Sequence, residues 1–334
     1  MHWGFPTKQK LEVVAMKSLR GMIAVLAVLL CFTSTIFAAP VRFGVDSFIL
    51  GAQMRVALEK GFFEKYGIAA EILTFSYGVN TIDAILTNQA DFGVCMDFAL
   101  LTRLQTDKLV ILATIIEPKP GWHKLVATAD IKEAKDLIGK RMGVAPGTLQ
   151  QYVTLKYLDV NGIPRNAVKY VELPSLFDIV AALGKGIDAA WVWGTGVDEA
   201  LKIPGIHLIC DDSAAGHRSY GFLVASAEFV RTNRDLTVAI IRALIEATDW
   251  IVGNLEEAAA LVAKQVGAPE QTVLEEMRRE GYCFKIDKAH IDSLGALLTW
   301  MYEARIIERP LVIEYYINAA PLWIVDPTRV GFHL

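Results

Sequence analysis

A faint internal repeat constrains this chain more than any other feature of its sequence. Arg42-Phe43-Gly44-Val45 returns as Arg141-Met142-Gly143-Val144, 99 residues later. Gln53 and Leu58 are matched by Gln150 and Leu155, and Leu86 and Asp91 by Leu183 and Asp188, each at an offset of 97. Ordered echoes at one spacing mark a duplicated structural unit. In each copy an apolar β-type run leads into a helical pattern that stops at a glycine, Gly67-Ile68 or Gly162-Ile163. Glycine supplies the left-handed residue that closes a helix. A second β-type run follows, Glu71–Phe75 or Lys169–Leu173, then a second helical pattern, Thr81–Thr87 or Phe177–Gly184. A third strand, Phe92–Cys95 or Ala189–Trp193, completes the unit.

A β-α-β-α-β unit used twice specifies an α/β fold of two similar lobes, each with parallel strands and right-handed crossovers. Ligands of open α/β sheets bind outside the carboxyl ends of the strands, so the cleft between the lobes is the expected site. The loops expected there are Asp46-Ser47-Phe48, Ser76-Tyr77-Gly78 and Met96-Asp97 from the first lobe. The second lobe offers Pro146-Gly147-Thr148, Pro174-Ser175 and Trp193-Gly194-Thr195. Lys124–Ala127 and Gly221–Ala225 read as two passages between lobes. The first lobe then comprises 40–125 and 223–334, the second 126–222, and the passages form a hinge. From Ala227 onward the chain reads as mainly helical (Val238–Gly253, Leu255–Val266, Glu270–Gly281 and His290–Ala304, the last with Asp287 as N-cap) and is expected to pack back onto the first lobe.

The site residues carry their own chemistry. Gly147 lets a ligand approach the backbone, and Thr148 opens a helix whose first amides, at Leu149 and beyond, lack intrahelical partners. Such a helix start attracts anions. The plainer reading of Thr148 is an N-cap. Phe48, Tyr77 and Trp193 offer apolar walls of the kind small-ligand pockets use. Trp193 stands out because Gly194-Thr195-Gly196 marks the chain leaving the sheet, whereas Trp191, alternating with it, points inward. Asp46 and Asp97 would hold an amine or another donor, or would cap the helices that follow them. An acidic pair beside an anion-binding helix suits a zwitterion. Trp122 reads as part of a surface turn near the hinge, with a place at the rim of the cleft as the alternative.

Lys17 and Arg20 precede the apolar run Met22–Phe32, which Thr33-Ser34-Thr35 interrupts before Ala38-Ala39-Pro40. That pattern is an export signal over residues 1–39, about half as long in its apolar part as a spanning helix requires. Cys31 lacks the small preceding residue of a lipoprotein site, and Met16 is a second candidate start. Without these residues, 29 basic and 36 acidic residues leave a net charge of −7, which argues against nucleic acid as a partner. Cys95, Cys210 and Cys283 form no CxxC pair, and no histidine has a metal-type spacing to a second ligand. No phosphate loop or nucleophile elbow is present.

Four segments resemble periplasmic solute-binding proteins of the nitrate/sulfonate/taurine group, which have the type II two-lobed fold. Ala57–Gly67 is similar to the group's A-x-x-x-G-F-F-x-x-x-G helix, and Ala84–Gly93 to its A-L-x-x-G-x-x-D-x-G. Asp136–Arg141 is similar to D-L-x-G-K-K, and Ala189–Trp193 to D-A-x-x-x-W. The resemblance implies a monomeric, periplasmic binding protein without cofactor, serving an ABC permease and ATPase with a small anionic or zwitterionic ligand such as a sulfonate, taurine or nitrate. Gly194-Thr195 replaces the Asp-Pro that often follows the second Trp. Enzymes on the same fold, resembling the thiamine-pyrimidine synthases or chorismate dehydratases, are the alternative, and a sensor-docked binding protein is another.

Overall fold

The computed structural model describes residues 39–332. The expected export signal, with Cys31 and Met16, lies outside the described residues apart from Ala39. Of the described residues, 40–332 form one compact unit.

Two sheets organise that unit. The strands of the first repeat are β1 (Val41–Asp46), β2 (Ala70–Phe75) and β3 (Phe92–Met96). Those of the second are β6 (Arg141–Val144), β7 (Lys169–Glu172) and β8 (Ala189–Val192). Between and after them run β4 (Leu109–Ile116), β5 (Lys124–Thr128), β9 (Ile206–Asp211), β10 (Gly221–Ser226), β11 (Tyr282–Asp287) and β12 (Val330–Gly331). The first sheet has the order β12-β11-β4-β10-β3-β1-β2, the second β7-β6-β8-β5-β9. β1 lies parallel to β2 and β3, and β6 lies parallel to β7 and β8. The β2-β1-β3 end of the first sheet and the β7-β6-β8 end of the second therefore match strand for strand.

Three expectations need correction. The sheets are mixed: β10 runs antiparallel to β3 and β4, and β5 antiparallel to β8 and β9. β-α-β crossovers fix only the three strands they join, and a strand arriving from the other half enters in the opposite sense. Lys124–Ala127 and Gly221–Ala225 are not passages but strands, β5 wholly in the second sheet and β10 wholly in the first. Divisions at 125 and 223 would cut both, so the chain crosses between Ile116 and Lys124 and returns between Asp211 and Gly221. Finally, the C-terminal part is not purely helical, because β11 and β12 extend the first sheet.

The longer helices there are Arg234–Gly253, Leu255–Val266, Glu270–Glu280 and Lys288–Glu303. They cover the first sheet, and the apolar stripe Ile240, Ile241, Leu244 and Ile251 of the longest is fully buried. Asp287 caps the last, accepting from the amide of His290 at 3.3 Å. Gly67 (φ 72°) and Gly162 (φ 64°) hold the left-handed conformation just past their helices. Cys95, Cys210 and Cys283 are free thiols. No helix of the described residues is long and apolar enough to cross a membrane.

Candidate functional site

The carboxyl ends of β1, β2, β3 and β8 converge on one cavity between the two sheets. Counted out to its open mouth, its unfilled space is about 450 Å³. Asp46, Phe48, Ser76, Tyr77, Gly78 and Met96 line it from the first half, and Thr148, Leu149 and Trp193 from the second. Nine of the thirteen residues singled out in the sequence thus meet at one place.

Aromatic rings from both halves close over it. Trp193 packs edge-on to Phe48 with centroids 5.9 Å apart, and lies 6.1 Å from Tyr77. The Tyr77 hydroxyl donates to the carbonyl oxygen of Leu173 in the opposite half at 3.5 Å. Gly78 fits a tight approach where its helix, Gly78–Leu86, meets β3: a Cβ there would lie 3.1 Å from the Cys95 Cα. Gly147 (φ 70°) comes from the second half close against the first, its nearest neighbours being Arg103 and Val79. Its amide donates to Gln151 Oε1 at 2.8 Å, so Gly147 serves the approach of the halves and does not line the cavity.

Thr148 is the N-cap residue of the helix Leu149–Val160, yet its hydroxyl donates to the carbonyl oxygen of Ala145 at 2.8 Å instead of capping. Thr148, Leu149 and Gln150 at that helix start line the cavity, and a helix N-terminus favours acceptor atoms. Gln150, missed as a lining residue, holds this helix start in place. It donates to the carbonyl oxygens of Gly143 (2.9 Å) and Trp191 (3.3 Å) and accepts from the amide of Ala145 (3.0 Å). Its repeat partner Gln53 is likewise buried and donates to the Ile115 carbonyl oxygen at 2.8 Å. The shared Gln53/Gln150 position was visible in the repeat, and a buried amide beside strand ends is the signal that could have exposed it.

Trp122 and His123 also line the cavity, which corrects the reading of Trp122 as a surface turn. The crossing 117–123 passes over the strand ends and is folded inward. Trp122 Nε1 donates to Glu276 Oε2 at 2.6 Å, and the His123 ring lies 5.3 Å from Trp193. Asp212 fixes this crossing: it accepts from the amides of Gly121 and His123, the latter at 2.9 Å. Burial pushes the Asp212 carboxyl up, but the His123 ring and the two amides outweigh it and hold the group down at about 2.

Three other expected residues lie elsewhere. Asp97 is packed in the interior, accepting from the amides of Phe98 (2.7 Å) and Tyr220 (3.3 Å). It anchors the start of β10 to the end of β3; burial, opposed by those amides, pushes its carboxyl up to about 7. Ser47 donates to the Ser76 carbonyl oxygen at 3.3 Å and ties two loops behind the cavity wall. Thr195 begins the helix Thr195–Leu201 on the far side of Trp193, facing Val266, Ala268 and Val273.

Asp46 is the one acidic residue of the lining, and no Lys or Arg of the described residues joins it. It is 7% exposed, and its Oδ1 has no hydrogen-bond partner. Burial pushes the carboxyl up to about 6, against the pull of Arg55 and the amides of Phe48, Gly51 and Leu50.

Glu117, Asp287 and His290 bring their ligand-type atoms together away from the cavity. His290 Nε2 lies 2.7 Å from Glu117 Oε1, and Lys285 Nζ reaches the same oxygen at 2.8 Å. The ammonium already supplies the positive charge there, and the network ties β4 to β11.

Residues 52–258 match the profile of the family described as NMT1/THI5 like. A candidate binding protein of Brucella abortus (strain 2308) is 26% identical over 231 residues, covering 67% of this chain and 71% of that one. Among solved structures, the alkanesulfonate-binding protein SsuA from Xanthomonas axonopodis pv. citri, bound to MOPS, superposes with a TM-score of 0.71 at 16% identity, over 84% of this chain and 98% of that one. A ligand-binding component of an ABC-type import system from Staphylococcus aureus gives 0.69 at 11% identity, over 85% and 98%. At such identities the likeness shows a shared fold.

Proposed function

The chain belongs to the NMT1/THI5-like family, and from that premise we propose that it is the extracytoplasmic solute-binding component of an ABC importer. It captures one small organic ligand between two lobes and presents the closed form to a membrane permease with its ATPase. The observation that carries this reading is the cavity at the strand ends built from both halves, with Phe48 and Tyr77 of one meeting Trp193 of the other. A pocket split between two bodies is assembled by closure, and closure is what a transport partner can sense. The export signal read over 1–39 supports delivery to the periplasm. The solved relative from an ABC-type import system supports the partner class. The protein works as a monomer without cofactor and leaves its ligand chemically unchanged. Of the anionic and zwitterionic classes implied by resemblance, the lining favours a ligand with a donor end, since its only carboxylate has a free oxygen and no Lys or Arg lines it.

Thermal unfolding of residues 40–334 against a panel of small anions, zwitterions and amines tests the reading. A ligand that binds only the folded form raises its stability by about 2.7 kcal/mol at a hundredfold excess over Kd. A shift that disappears in Trp193→Ala sustains the proposal. Turnover of any panel compound would replace it with an enzymatic one.

A further inference from the structure

The charge pattern around the cavity is opposite to that of an anion pocket. Four aromatic side chains, Phe48, Tyr77, Trp122 and Trp193, line the cavity together with His123 and with Asp46, its one acidic group. The nearest guanidinium groups hydrogen-bond to other partners, although the charge of Arg55 also acts on the Asp46 carboxyl. Arg55 donates to the Asp46 carbonyl oxygen (2.9 Å) and Thr74 (3.3 Å), and Arg103 pairs with Asp83 at 2.7 Å. Behind the first-half wall lie two further acids. Glu276 holds the indole of Trp122, and Glu280 is fully buried with no hydrogen-bond partner on either carboxylate oxygen. After burial, the charges of Glu276 and Asp46 push the Glu280 carboxyl further up, so the three acids act on one another.

Taking the binding-protein reading as given, we infer that the ligand group held by the first-half wall is a cationic nitrogen, a protonated or methylated amine, seated among the rings with Asp46 as its counter-charge. Aromatic faces attract cations, and the attraction grows as the site is desolvated. A buried carboxylate oxygen without a donor costs free energy until one arrives. An anionic group at the same wall would face Asp46 with no Lys or Arg in the lining to offset it. The start of the helix Leu149–Val160 is left for a neutral or negative end of the ligand, but it is the first-half wall that selects the class.

The test compares shapes that differ only in charge, on residues 40–334, by titration calorimetry. Choline and its uncharged carbon isostere 3,3-dimethyl-1-butanol form one pair; ethanolamine and ethanesulfonate extend the series. The cations are expected to bind roughly tenfold or more tightly than the isostere, a preference that Asp46→Asn abolishes. Equal binding of choline and its isostere overturns the inference, as does tighter binding of ethanesulfonate that survives Asp46→Asn. Because the charge comparison is made on the unaltered protein, it stands even if the variant folds poorly. An anion that binds and is lost in Trp193→Ala would overturn the cation assignment while sustaining the binding-protein reading; no binding by any compound of either class overturns both.

Discussion

Arg141 grips Asp188 with its guanidinium and its own backbone amide at once, the amide at 2.7 Å from Oδ2 and Nε at 3.2 Å from the same oxygen. Arg42 holds Asp91 in the same way, at 2.8 and 3.1 Å. In each half the pair locks the first strand of the unit to the turn before the third. The remaining guanidinium nitrogen caps a carbonyl oxygen near the end of the second helix, Lys185 or Asn88. The repeat in the sequence is thus a repeat of one folding device.

Removing that device tests whether it holds the fold. An exposed ion pair contributes little, but Asp188→Ala also leaves the Arg141 amide unpaired. The expected loss is about 1–2 kcal/mol in urea unfolding. Asp91→Ala should cost about the same, and the double variant about the sum, because the two sites share no partner.

The lining separates residues that the sequence grouped together. Trp193→Ala should weaken ligand binding roughly tenfold or more, since a buried aromatic wall from one half contacts the other. Thr195→Ala, on the far side of Trp193, should leave Kd within about twofold. Calorimetry with whichever compound binds residues 40–334 checks both.

Gly147→Ala should weaken binding without touching the cavity. The residue sits at φ 70°, and an added Cβ would lie 3.3 Å from both Arg103 Nη1 and Val79 Cγ2 across the cleft. The backbone strain of about 1 kcal/mol and the crowding both oppose approach of the halves. Affinity should fall while the unfolding slope against urea stays unchanged.

Stability of the free protein should rise as pH is lowered from 8 through about 6, and the gain from the raised carboxyls continues toward their ordinary value of 3.8 while His217 opposes it below its ordinary 6.5. The Asp46 and Asp97 carboxyls are pushed up by burial to about 6 and about 7, and Glu280 is also raised. Raised carboxyls bind protons more readily in the folded chain, so their unfavourable contribution disappears as they protonate. His217 has the opposite sign: burial holds it at about 4, below its ordinary 6.5, so stability is lost as pH falls through that window. Calorimetric Tm should gain about 2–4 °C between pH 8 and 6, and Asp97→Asn should flatten that slope.

The fold was legible because its constraints are local and stated twice. Strand ends, glycine stops and the Arg–Asp positions recur at fixed offsets, and each copy confirms the other. The passages were not legible. β5 and β10 are apolar runs whose sheet is decided by partners a hundred residues away, and nothing in Lys124–Ala127 says which side it joins. β11 alternates only weakly and follows three helices, so its pairing with β4 is likewise a tertiary choice. At the cavity, strand-end residues were found by topology, which fixes where Asp46, Tyr77 and Trp193 must stand. Trp122 was misplaced and His123 was not singled out because a crossing segment has no periodicity, and Asp212, which folds it inward, lies far along the chain. Asp97 was misassigned because a strand-end carboxylate serves a buried amide as readily as a ligand.

The second sheet is wholly enclosed between the two crossings: all five of its strands come from residues 124–211, while both ends of the described chain belong to the first sheet. One opposing wall of the cavity is therefore encoded as a single uninterrupted cassette. Recombination at two points, within 117–123 and 212–220, can exchange that whole wall, Thr148, Gln150 and Trp193 together, and leave the half that carries Asp46 intact.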